Sequence, residues 1–454
     1  MGGKSTRNNE TVIVIGSGVA GMNVIYNLLK TKKRMNMMCI TREDQVAYST
    51  CGLPYALEGI TKKFDDIILR TPEFFTENNV QILMNTEVID IDSKNNQIKT
   101  INENGKTEDF RYDYLVIATG RKPNIPPIKG IELKNVFTLM SYKDGKEIAE
   151  IMPKCTKAVV IGAGYIGLEM ALAFTANNIQ TVVVELAPSV LPAILDPDMS
   201  ELVEKWLLKK GIRIIIGKKV QELKGNGIVT GAILDDGEEL PADIVLLSTG
   251  IKPNVELAKK VGIDIGPTGG IKTNENLCVY MSGNCVKNIF ALGDCIETKN
   301  LITNQPIISA LASSAVVQSK VVAKNIIGRE AYYKGTISPS ITYLGGLQVG
   351  AVGLNTNSAE KAGISYKSAT SAGSSQSKYI PGWKNIFFKI HAHKNHIIGA
   401  QIISEKDVKE RINALTLIIR EKIPIETILQ TERCYTPPLA LLSDPMFKAL
   451  EKLV

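Results

Sequence analysis

One cysteine of the sequence has a setting that could make it a nucleophile. Cys51 follows the apolar run of residues 37–40, and Gly52 and Pro54 then turn the backbone into a short predicted helix. At the start of a helix, free amides and the helix dipole stabilise a thiolate. No second cysteine follows within a few residues, so Cys51 would pair with a small thiol, carry a persulfide or cycle through sulfenic acid. A structural cysteine in a tight turn is the alternative.

A glycine-rich turn near the start of the sequence could hold a dinucleotide. Residues 11–15 are an apolar run typical of a buried strand, and a helix predicted to extend to about Lys32 follows the turn. The turn carries Gly16, Gly18, Val19, Ala20 and Gly21. In a strand–GxGxxG–helix unit, the glycines let the backbone approach a pyrophosphate, and the helix start supplies amides and positive potential. We therefore predict a dinucleotide site here.

The end of the next strand departs from this pattern. An acidic residue is expected there to bind the ribose hydroxyls. Thr41 stands at that position, and Glu43, which follows Arg42, is the candidate substitute.

The same unit returns in the middle of the chain. A strand over residues 158–161 leads into a second glycine-rich turn and a helix that extends through Thr175. This turn carries Gly162, Gly164, Tyr165, Ile166 and Gly167. Glu185 ends the following strand about 20 residues farther on, where an acid binds an unphosphorylated adenosine ribose. This position favours NADH over NADPH.

Each fingerprint is followed by a second buried strand that ends in Thr-Gly. The first such strand ends at Ala118, Thr119 and Gly120, and the other ends at Gly250. A Lys-Pro-Asn sequence follows both strands and is typical of a passage into a new domain. Two complete units are much more specific than one, so we predict two dinucleotide sites. Gly293 and Asp294 follow a later strand and would close the first fold if it binds a flavin, an ordinary turn being the alternative.

The composition changes from residue 338 onward. Short strands alternate with helices predicted over residues 406–421 and 425–432, which indicates an α+β domain. All three histidines lie within residues 391–396, and strand alternation would place His391 and His393 on one face. A metal site is one interpretation, but a hairpin turn is the simpler one, and we predict no metal.

The overall composition is that of an ordinary globular protein. The chain has 454 residues, of which 22% are charged, and its length suggests about three domains. Its seven cysteines show no paired or metal-site spacing, which favours the reducing cytoplasm. The net charge of +7 is mild and is not clustered, which argues against a nucleic-acid surface. No signal peptide or membrane span is predicted, and we interpret the myristoylation-like residues 1–6 as a chance match.

The sequence resembles, over nearly its whole length, the flavoprotein pyridine nucleotide-disulfide oxidoreductases. The closest resemblance is to the single-cysteine branch, which contains coenzyme A-disulfide reductases, NADH oxidases, NADH peroxidases and persulfide or polysulfide reductases. Four segments carry the resemblance: residues 48–55 around Cys51, 161–169 around the second fingerprint, 379–382, and 435–445 with its Tyr-Thr-Pro-Pro and Asp-Pro pairs.

The resemblance implies an α/β fold with two Rossmann-like nucleotide-binding domains, for FAD and NAD(P), and a C-terminal α+β dimerisation domain. The implied bounds are a disordered tail at 1–10, an FAD domain at 11–124 and 255–333, an NAD(P)H domain at 125–254 and an interface domain at 334–454. FAD would contact the first fingerprint, Arg42, Glu43, Ser49, Thr50, Val88, the Ala118–Gly120 segment, Gly293 and Asp294.

The resemblance also implies roles around the flavin. NADH or NADPH would bind the second fingerprint, Glu185 and Gly250. Tyr165 would shield the flavin until the nicotinamide displaces it, and Glu169 would lie close to the nicotinamide. Cys51 would lie against the opposite flavin face. In a homodimer, Tyr435 and Tyr379 would reach the active site of the partner subunit.

Two departures from the family bear on the substrate. Peroxidases and several oxidases of this branch have a histidine where this sequence has Val19, which counts against a peroxidase. Members that bind coenzyme A have polar and basic residues along the first helix, where this sequence has Val24, Leu28 and Thr31. Lys30 and the cations at 32–34 could still serve a phosphate-rich ligand.

The predicted function is reduction of a low-molecular-weight disulfide, persulfide or polysulfide through FAD and Cys51. One alternative is an NADH oxidase that reduces oxygen through a Cys51 sulfenic acid. Another is an electron-transfer flavoprotein with a protein partner.

Overall fold

The protein is described by a computed structural model over residues 9–454. The myristoylation-like residues and most of the predicted tail therefore lie outside the described residues, and Glu10 already belongs to the first strand. The predicted α/β class is confirmed, with three large sheets that carry the nucleotide-binding turns and the C-terminal domain.

The first large sheet has six strands and joins two distant parts of the chain. Five of its strands are parallel, and the edge strand Cys278–Met281 is antiparallel to its neighbour. In spatial order the strands are Cys278–Met281, Asn284–Ala291, Tyr114–Ile117, Glu10–Ile15, Met35–Ile40 and Val80–Leu83. The sheet lies in one hydrophobic core with two helices that contact each other, Val19–Leu29 and Ala312–Ile326. Parallel strands need cover on both faces, which explains their nearly continuous apolar sequences.

The first helix is shorter than predicted. It ends at Leu29 rather than near Lys32. The Thr31 hydroxyl donates to the Leu28 carbonyl at 2.7 Å, and the Thr31 amide donates to the same oxygen. These bonds turn the backbone out of the helix.

The second large sheet has five strands, all parallel. In spatial order they are Arg213–Ile216, Gln180–Glu185, Lys157–Ile161, Ile244–Leu247 and Val136–Phe137. The associated helices are Tyr142–Ile151, Tyr165–Ala176 and Pro197–Lys209. The helix that begins at Tyr165 has almost every residue from Gly167 to Phe174 buried, because it packs against this sheet and also against Leu53–Glu58.

The two Lys-Pro segments pair with each other between these folds. Arg121–Pro123 and Ile251–Pro253 form a two-stranded antiparallel ribbon. The Thr119 hydroxyl donates to the Asn254 carbonyl at 2.7 Å, and the Thr249 hydroxyl donates to the Asn124 carbonyl at 2.6 Å. The segment through which the chain leaves the first fold and the segment through which it returns therefore lie side by side and are hydrogen-bonded to each other.

The C-terminal domain is built on a five-stranded antiparallel sheet. In spatial order the strands are Ser340–Leu344, Leu347–Gly353, His396–Ser404, Asn385–His393 and Lys367–Ser374. Its helices are Thr356–Lys361, Val408–Arg420, Ile425–Gln430 and Pro445–Glu451. The sequence patterns missed the edge strand Lys367–Ser374 and the first and last of these helices.

The predicted hairpin at the histidines is confirmed, because the two central strands meet at Lys394 and Asn395. The histidines have separate partners. His391 is fully buried and contacts Asp196 and Ser368, whereas His393 contacts the Ser365 carbonyl. Within residues 9–454, no group of three or more His, Cys, Asp or Glu side chains is placed to hold a metal.

Smaller elements complete the chain. The remaining strands are Thr86–Asp92, Gln97–Asn102, Thr107–Arg111, Val220–Gly225, Val229–Leu234, Glu239–Pro241, Glu297–Lys299 and Pro306–Ile308. The remaining helices are Thr50–Gly52, Leu53–Glu58, Phe64–Ile67, Pro72–Glu77, Met152–Lys154, Glu256–Lys260 and Gly293–Cys295. Among the described residues, no helix combines the length and the apolar character that crossing a bilayer requires.

Candidate active site

The first glycine-rich turn has the geometry of a ligand cradle. Gly16 has φ +107°, and a Cβ built on it would lie 2.2 Å from the Ala118 carbonyl oxygen. A Cβ on Gly21 would lie 2.1 Å from the Gly16 oxygen, whereas one on Gly18 would meet no protein atom within 4 Å. The outer glycines therefore allow close backbone packing, and the middle one leaves open space beside the helix start.

The second turn repeats this geometry. A Cβ on Gly162 would lie 2.3 Å from the Ser248 carbonyl oxygen, and one on Gly167 would lie 2.0 Å from the Gly162 oxygen. Gly164 again faces open space. Both turns thus have the tight turn, close helix packing and free approach that a pyrophosphate needs.

A long cavity extends from the end of strand Met35–Ile40, along the first turn, to Cys51. Its lining joins the first glycine-rich turn to the end of the neighbouring strand and to Cys51, which is the set of elements that the sequence predicts around FAD. The predicted flavin-site residues that line it are Gly16, Gly18, Val19, Ala20, Arg42, Glu43, Thr50, Val88, Ala118, Thr119, Gly120, Gly293 and Asp294. Gly21 is buried beneath the turn, and Ser49 does not line the cavity.

At the end of the second strand of the first fold, where an acidic residue is expected, the structure has the Thr41 hydroxyl next to the Ser17 hydroxyl. The Ser17 hydroxyl donates to the Thr41 hydroxyl at 2.9 Å. Glu43 lines the same cavity, but its carboxylate already accepts a 2.6 Å hydrogen bond from Tyr48. Burial raises the pKa of Glu43, against the lowering effect of that bond. Glu43 is therefore held mainly by Tyr48.

A second cavity lies beside the second turn and meets the first. Its lining includes Gly164, Tyr165, Ile166, Glu169 and Gly250 from the predicted nicotinamide site. Cys51 and Arg121 line both cavities. Cys51 is also the only cysteine among the lining residues of either cavity. The junction of the two cavities thus contains one thiol and one guanidinium.

The electrostatics of Cys51 differ from the expectation based on the helix start. Cys51 lies in the short turn Thr50–Gly52, and the helix after it, Leu53–Glu58, has only six residues. The thiol is accessible to solvent, yet the surrounding protein raises its pKa, mainly by desolvation. The charge of Arg121 acts in the opposite direction, while Glu169 and Asp294 add to the increase in pKa.

Arg121 is a site residue that the sequence analysis missed. Its guanidinium donates to the Asp294 carboxylate at 2.8 Å, and both side chains are mostly buried. Burial raises the pKa of Asp294, and the Arg121 charge opposes that shift. The signal in the sequence was a cation directly after the Ala-Thr-Gly strand end.

Glu169 is held by residues from two other parts of the chain. It is buried and accepts hydrogen bonds from the Tyr55 hydroxyl at 2.9 Å and the Thr342 hydroxyl at 2.6 Å. Burial raises the pKa of Glu169 despite both bonds. The Tyr165 hydroxyl donates to Ser340 at 2.6 Å. The C-terminal sheet therefore contributes to this site, which no motif in the sequence indicated.

Glu185 lies at the end of its strand, close to the second turn. Its carboxylate accepts hydrogen bonds from the Ala163 amide at 2.6 Å and the Ala187 amide at 2.7 Å. These bonds fix the carboxylate beside the glycine-rich turn, which is the position predicted for a ribose ligand.

Comparison with known proteins identifies the family. The model of the pyridine nucleotide-disulphide oxidoreductases matches residues 10–317, and the model of the dimerisation domain of this family matches residues 338–443. The chain belongs to the pyridine nucleotide-disulphide oxidoreductases. It is an oxidoreductase of the flavin-dependent kind, with FAD and NADH or NADPH as the cofactors.

Relatives cover nearly the whole chain. An NADH oxidase of Methanocaldococcus jannaschii is 40% identical over 443 residues, which are 97% of each chain. An NAD(P)H coenzyme A polysulfide/persulfide reductase of Pyrococcus horikoshii is 31% identical over 96% of this chain and 97% of its own. The structure of an NAD-dependent persulfide reductase from A. fulgidus superposes with a TM-score of 0.94 at 32% identity, covering 97% of this chain and 82% of that chain.

The two predicted partner-facing tyrosines lie outside both cavities. Tyr379 and Tyr435 belong to the segment that matches the dimerisation domain, and their side chains are exposed. Leu439 and Leu442 are exposed nearby in sequence. The role of these tyrosines in the site of a partner subunit stays a prediction.

Proposed function

We propose that this family member reduces a low-molecular-weight disulfide, persulfide or polysulfide with electrons from NAD(P)H. The observation that carries the proposal is the position of Cys51, the only cysteine lining either cavity, at their junction. A lone thiol in this position can form a mixed disulfide with a small acceptor, and it has no neighbouring thiol to resolve it. The relatives named for persulfide and polysulfide reduction support the same acceptor class.

We assign the binding roles as follows. The first turn, Thr50, Val88, the Thr-Gly strand end and Asp294 would hold FAD. The second turn, Glu169, Glu185 and Gly250 would hold the nicotinamide nucleotide, and the carboxylate of Glu185 favours NADH because it would repel a 2′-phosphate. When bound, FAD transfers reducing equivalents from the nicotinamide to sulfur.

Cys51 performs the sulfur chemistry in this proposal. Its thiolate attacks one sulfur of the acceptor, a mixed disulfide forms, and the other half of the acceptor leaves as a thiolate. Tyr435 of the partner subunit donates the proton to this leaving group. The mixed disulfide then takes two electrons and one proton, which releases the second half of the acceptor as a thiol and restores the Cys51 thiolate. The charge of Arg121 favours the thiolate at both stages.

The assembly and location follow from the same proposal. The match to a dimerisation domain and the exposed tyrosines support a homodimer. All seven cysteines are free thiols, which supports a reducing cytoplasm. We also propose the bounds given above for the three folded domains, with the first domain beginning at Glu10, because the first sheet joins strands on both sides of the second fold.

The test is an anaerobic titration of the purified yellow enzyme with NADH, followed by reoxidation with coenzyme A disulfide, polysulfide or oxygen in parallel. Rapid reoxidation by a sulfur acceptor supports the proposal. In the variant Cys51→Ser, NADH should still reduce the flavin and bleach its yellow colour, but the turnover of sulfur acceptors should be lost. Cys155→Ser, outside both cavities, is the matched control and should keep full turnover. Unchanged turnover in Cys51→Ser would remove this residue from the mechanism.

An NADH oxidase is the second candidate, because the relative at 40% identity carries that name. An accessible lone thiol such as Cys51 can also be oxidised to sulfenic acid. Rapid reoxidation by oxygen, with none by the sulfur acceptors, would favour this activity.

A further inference from the structure

A second pair of thiols lies far from Cys51 in the sequence, at the edge of the first sheet. Strand Cys278–Met281 runs antiparallel to Asn284–Ala291, and Tyr280 lies opposite Cys285. The register shifts at Cys278, which lies opposite Phe290, and the Cys278 sulfur lies 3.8 Å from the carbonyl oxygen of Lys287, two residues beyond Cys285. Neither cysteine lines the cavities described above.

Asn274 links the two cysteines. Its side-chain oxygen accepts from the Cys278 amide at 2.9 Å, and its side-chain nitrogen donates to the Cys285 sulfur at 3.3 Å. The Cys285 sulfur and the backbone of Cys278 therefore share one partner, Asn274, although both cysteines are free thiols in this structure.

The two thiols differ in accessibility. Cys285 is exposed, and the Asn274 side-chain nitrogen donates to its sulfur at 3.3 Å. Cys278 is buried, and its sulfur lies 3.8 Å from the Lys287 carbonyl oxygen. Burial, together with the nearby Cys285, raises the pKa of Cys278 to about 12. Cys285 is thus the thiol that a reagent from solvent meets first.

We propose that Cys278 and Cys285 form a redox modification site, which low-molecular-weight disulfides convert reversibly into an intramolecular disulfide. The Cys285 thiolate attacks the small disulfide, forms a mixed disulfide and releases one thiolate. Cys278 then attacks the Cys285 sulfur of the mixed disulfide, and the second half of the small disulfide leaves with the Cys278 proton as a thiol. Two protein thiols are oxidised to one disulfide, and one small disulfide is reduced to two thiols.

Peptide mapping tests the site in the intact holoenzyme. Lys272 and Lys287 flank both cysteines, so trypsin releases them in one peptide, residues 273–287. After treatment with glutathione disulfide, this peptide should lose two hydrogen atoms and resist iodoacetamide at both cysteines. Dithiothreitol should restore both alkylation sites. Two alkylated cysteines after treatment, or a lasting glutathione adduct in the wild-type peptide, would overturn the proposal.

Two variants separate the roles of the thiols. Cys278→Ser should keep glutathione on Cys285, because the resolving thiol is gone. Cys285→Ser should leave Cys278 unmodified, because that thiol is buried. Equal modification of the two variants would contradict the assigned order. The readout is a peptide mass, so it does not depend on the acceptor proposed for Cys51.

Discussion

The Arg121 guanidinium donates to the Asp294 carboxylate at 2.8 Å, across 173 positions of the sequence. Arg121 lines both cavities together with Cys51, whereas Asp294 lines the first cavity only. The pair therefore connects Asp294, at the end of the first fold, to the surroundings of Cys51. The positive charge of Arg121 lowers the pKa of Cys51, an effect that does not depend on the short helix Leu53–Glu58.

Arg121→Gln should raise the pKa of the Cys51 thiol, because it removes the cation that opposes burial, Glu169 and Asp294. At a fixed neutral pH, each unit of increase lowers the thiolate fraction about tenfold. The pH dependence of Cys51 alkylation by iodoacetamide measures this shift. Arg121→Lys keeps the charge and is the control. Superimposable alkylation profiles for the wild type and Arg121→Gln would refute this role.

Two glycine variants should separate ligand binding from folding in the second fold. Gly164→Ala adds a Cβ that meets no protein atom within 4 Å, so the stability should change by no more than about 0.5 kcal/mol while the KM for NADH rises. Gly167→Ala places a Cβ 2.0 Å from the Gly162 carbonyl oxygen and should cost about 1–3 kcal/mol or more.

Urea denaturation and NADH kinetics of the two glycine variants provide the measurements. If Gly164→Ala binds NADH like the wild type, the open face of the turn is not the nucleotide cradle.

Asp196 joins the second fold to the C-terminal sheet. It is buried and accepts from His391 at 2.9 Å, Lys389 at 3.0 Å and the Thr356 amide at 2.8 Å. Asp196→Asn leaves Lys389 without its buried counter-charge and removes the carboxylate that His391 contacts, and it should cost about 3–5 kcal/mol. Asp198→Asn, which affects only the exposed partner of Lys389, should cost less than about 1 kcal/mol.

The effect of Asp196 on stability should depend on pH. Burial raises the pKa of Asp196, but the hydrogen bonds from His391, Thr356 and Lys389 outweigh it and hold the pKa well below its usual range. A depressed pKa in the folded state stabilises the fold above the unfolded value of about 3.9, and this contribution is lost as the pH falls below it. The difference in free energy of unfolding between the wild type and Asp196→Asn should thus shrink as the pH falls over about two pH units, from pH 5 to pH 3. A constant difference over this range, in chemical denaturation, would contradict the assignment.

Tyr435→Phe should lower turnover of the sulfur acceptor by at least about 10²-fold, because it removes the proposed proton donor. Reduction of the flavin by NADH should be unaffected, and stopped-flow absorbance separates the two steps. Tyr332→Phe changes another exposed tyrosine, outside the segment matching the dimerisation domain, and is the control. Equal turnover in both variants would exclude Tyr435 as the donor.

The sequence by itself determined the two glycine-rich turns, the strands around them and the position of Cys51 in a turn just before a short helix. These features depend on local backbone geometry: a glycine such as Gly16 is required wherever φ is positive and a carbonyl lies close. The alternation of apolar residues likewise predicted the hairpin between His391 and His396.

Only the tertiary structure decided what surrounds Cys51. Arg121, Glu169 and Asp294 come from segments far from Cys51 in the sequence, and the two Lys-Pro segments pair across more than a hundred positions. The pKa of Cys51 depends on burial and on charges contributed by these distant segments. Because desolvation and Coulomb interactions depend on distances in space, the spacing of residues along the chain could not reveal them.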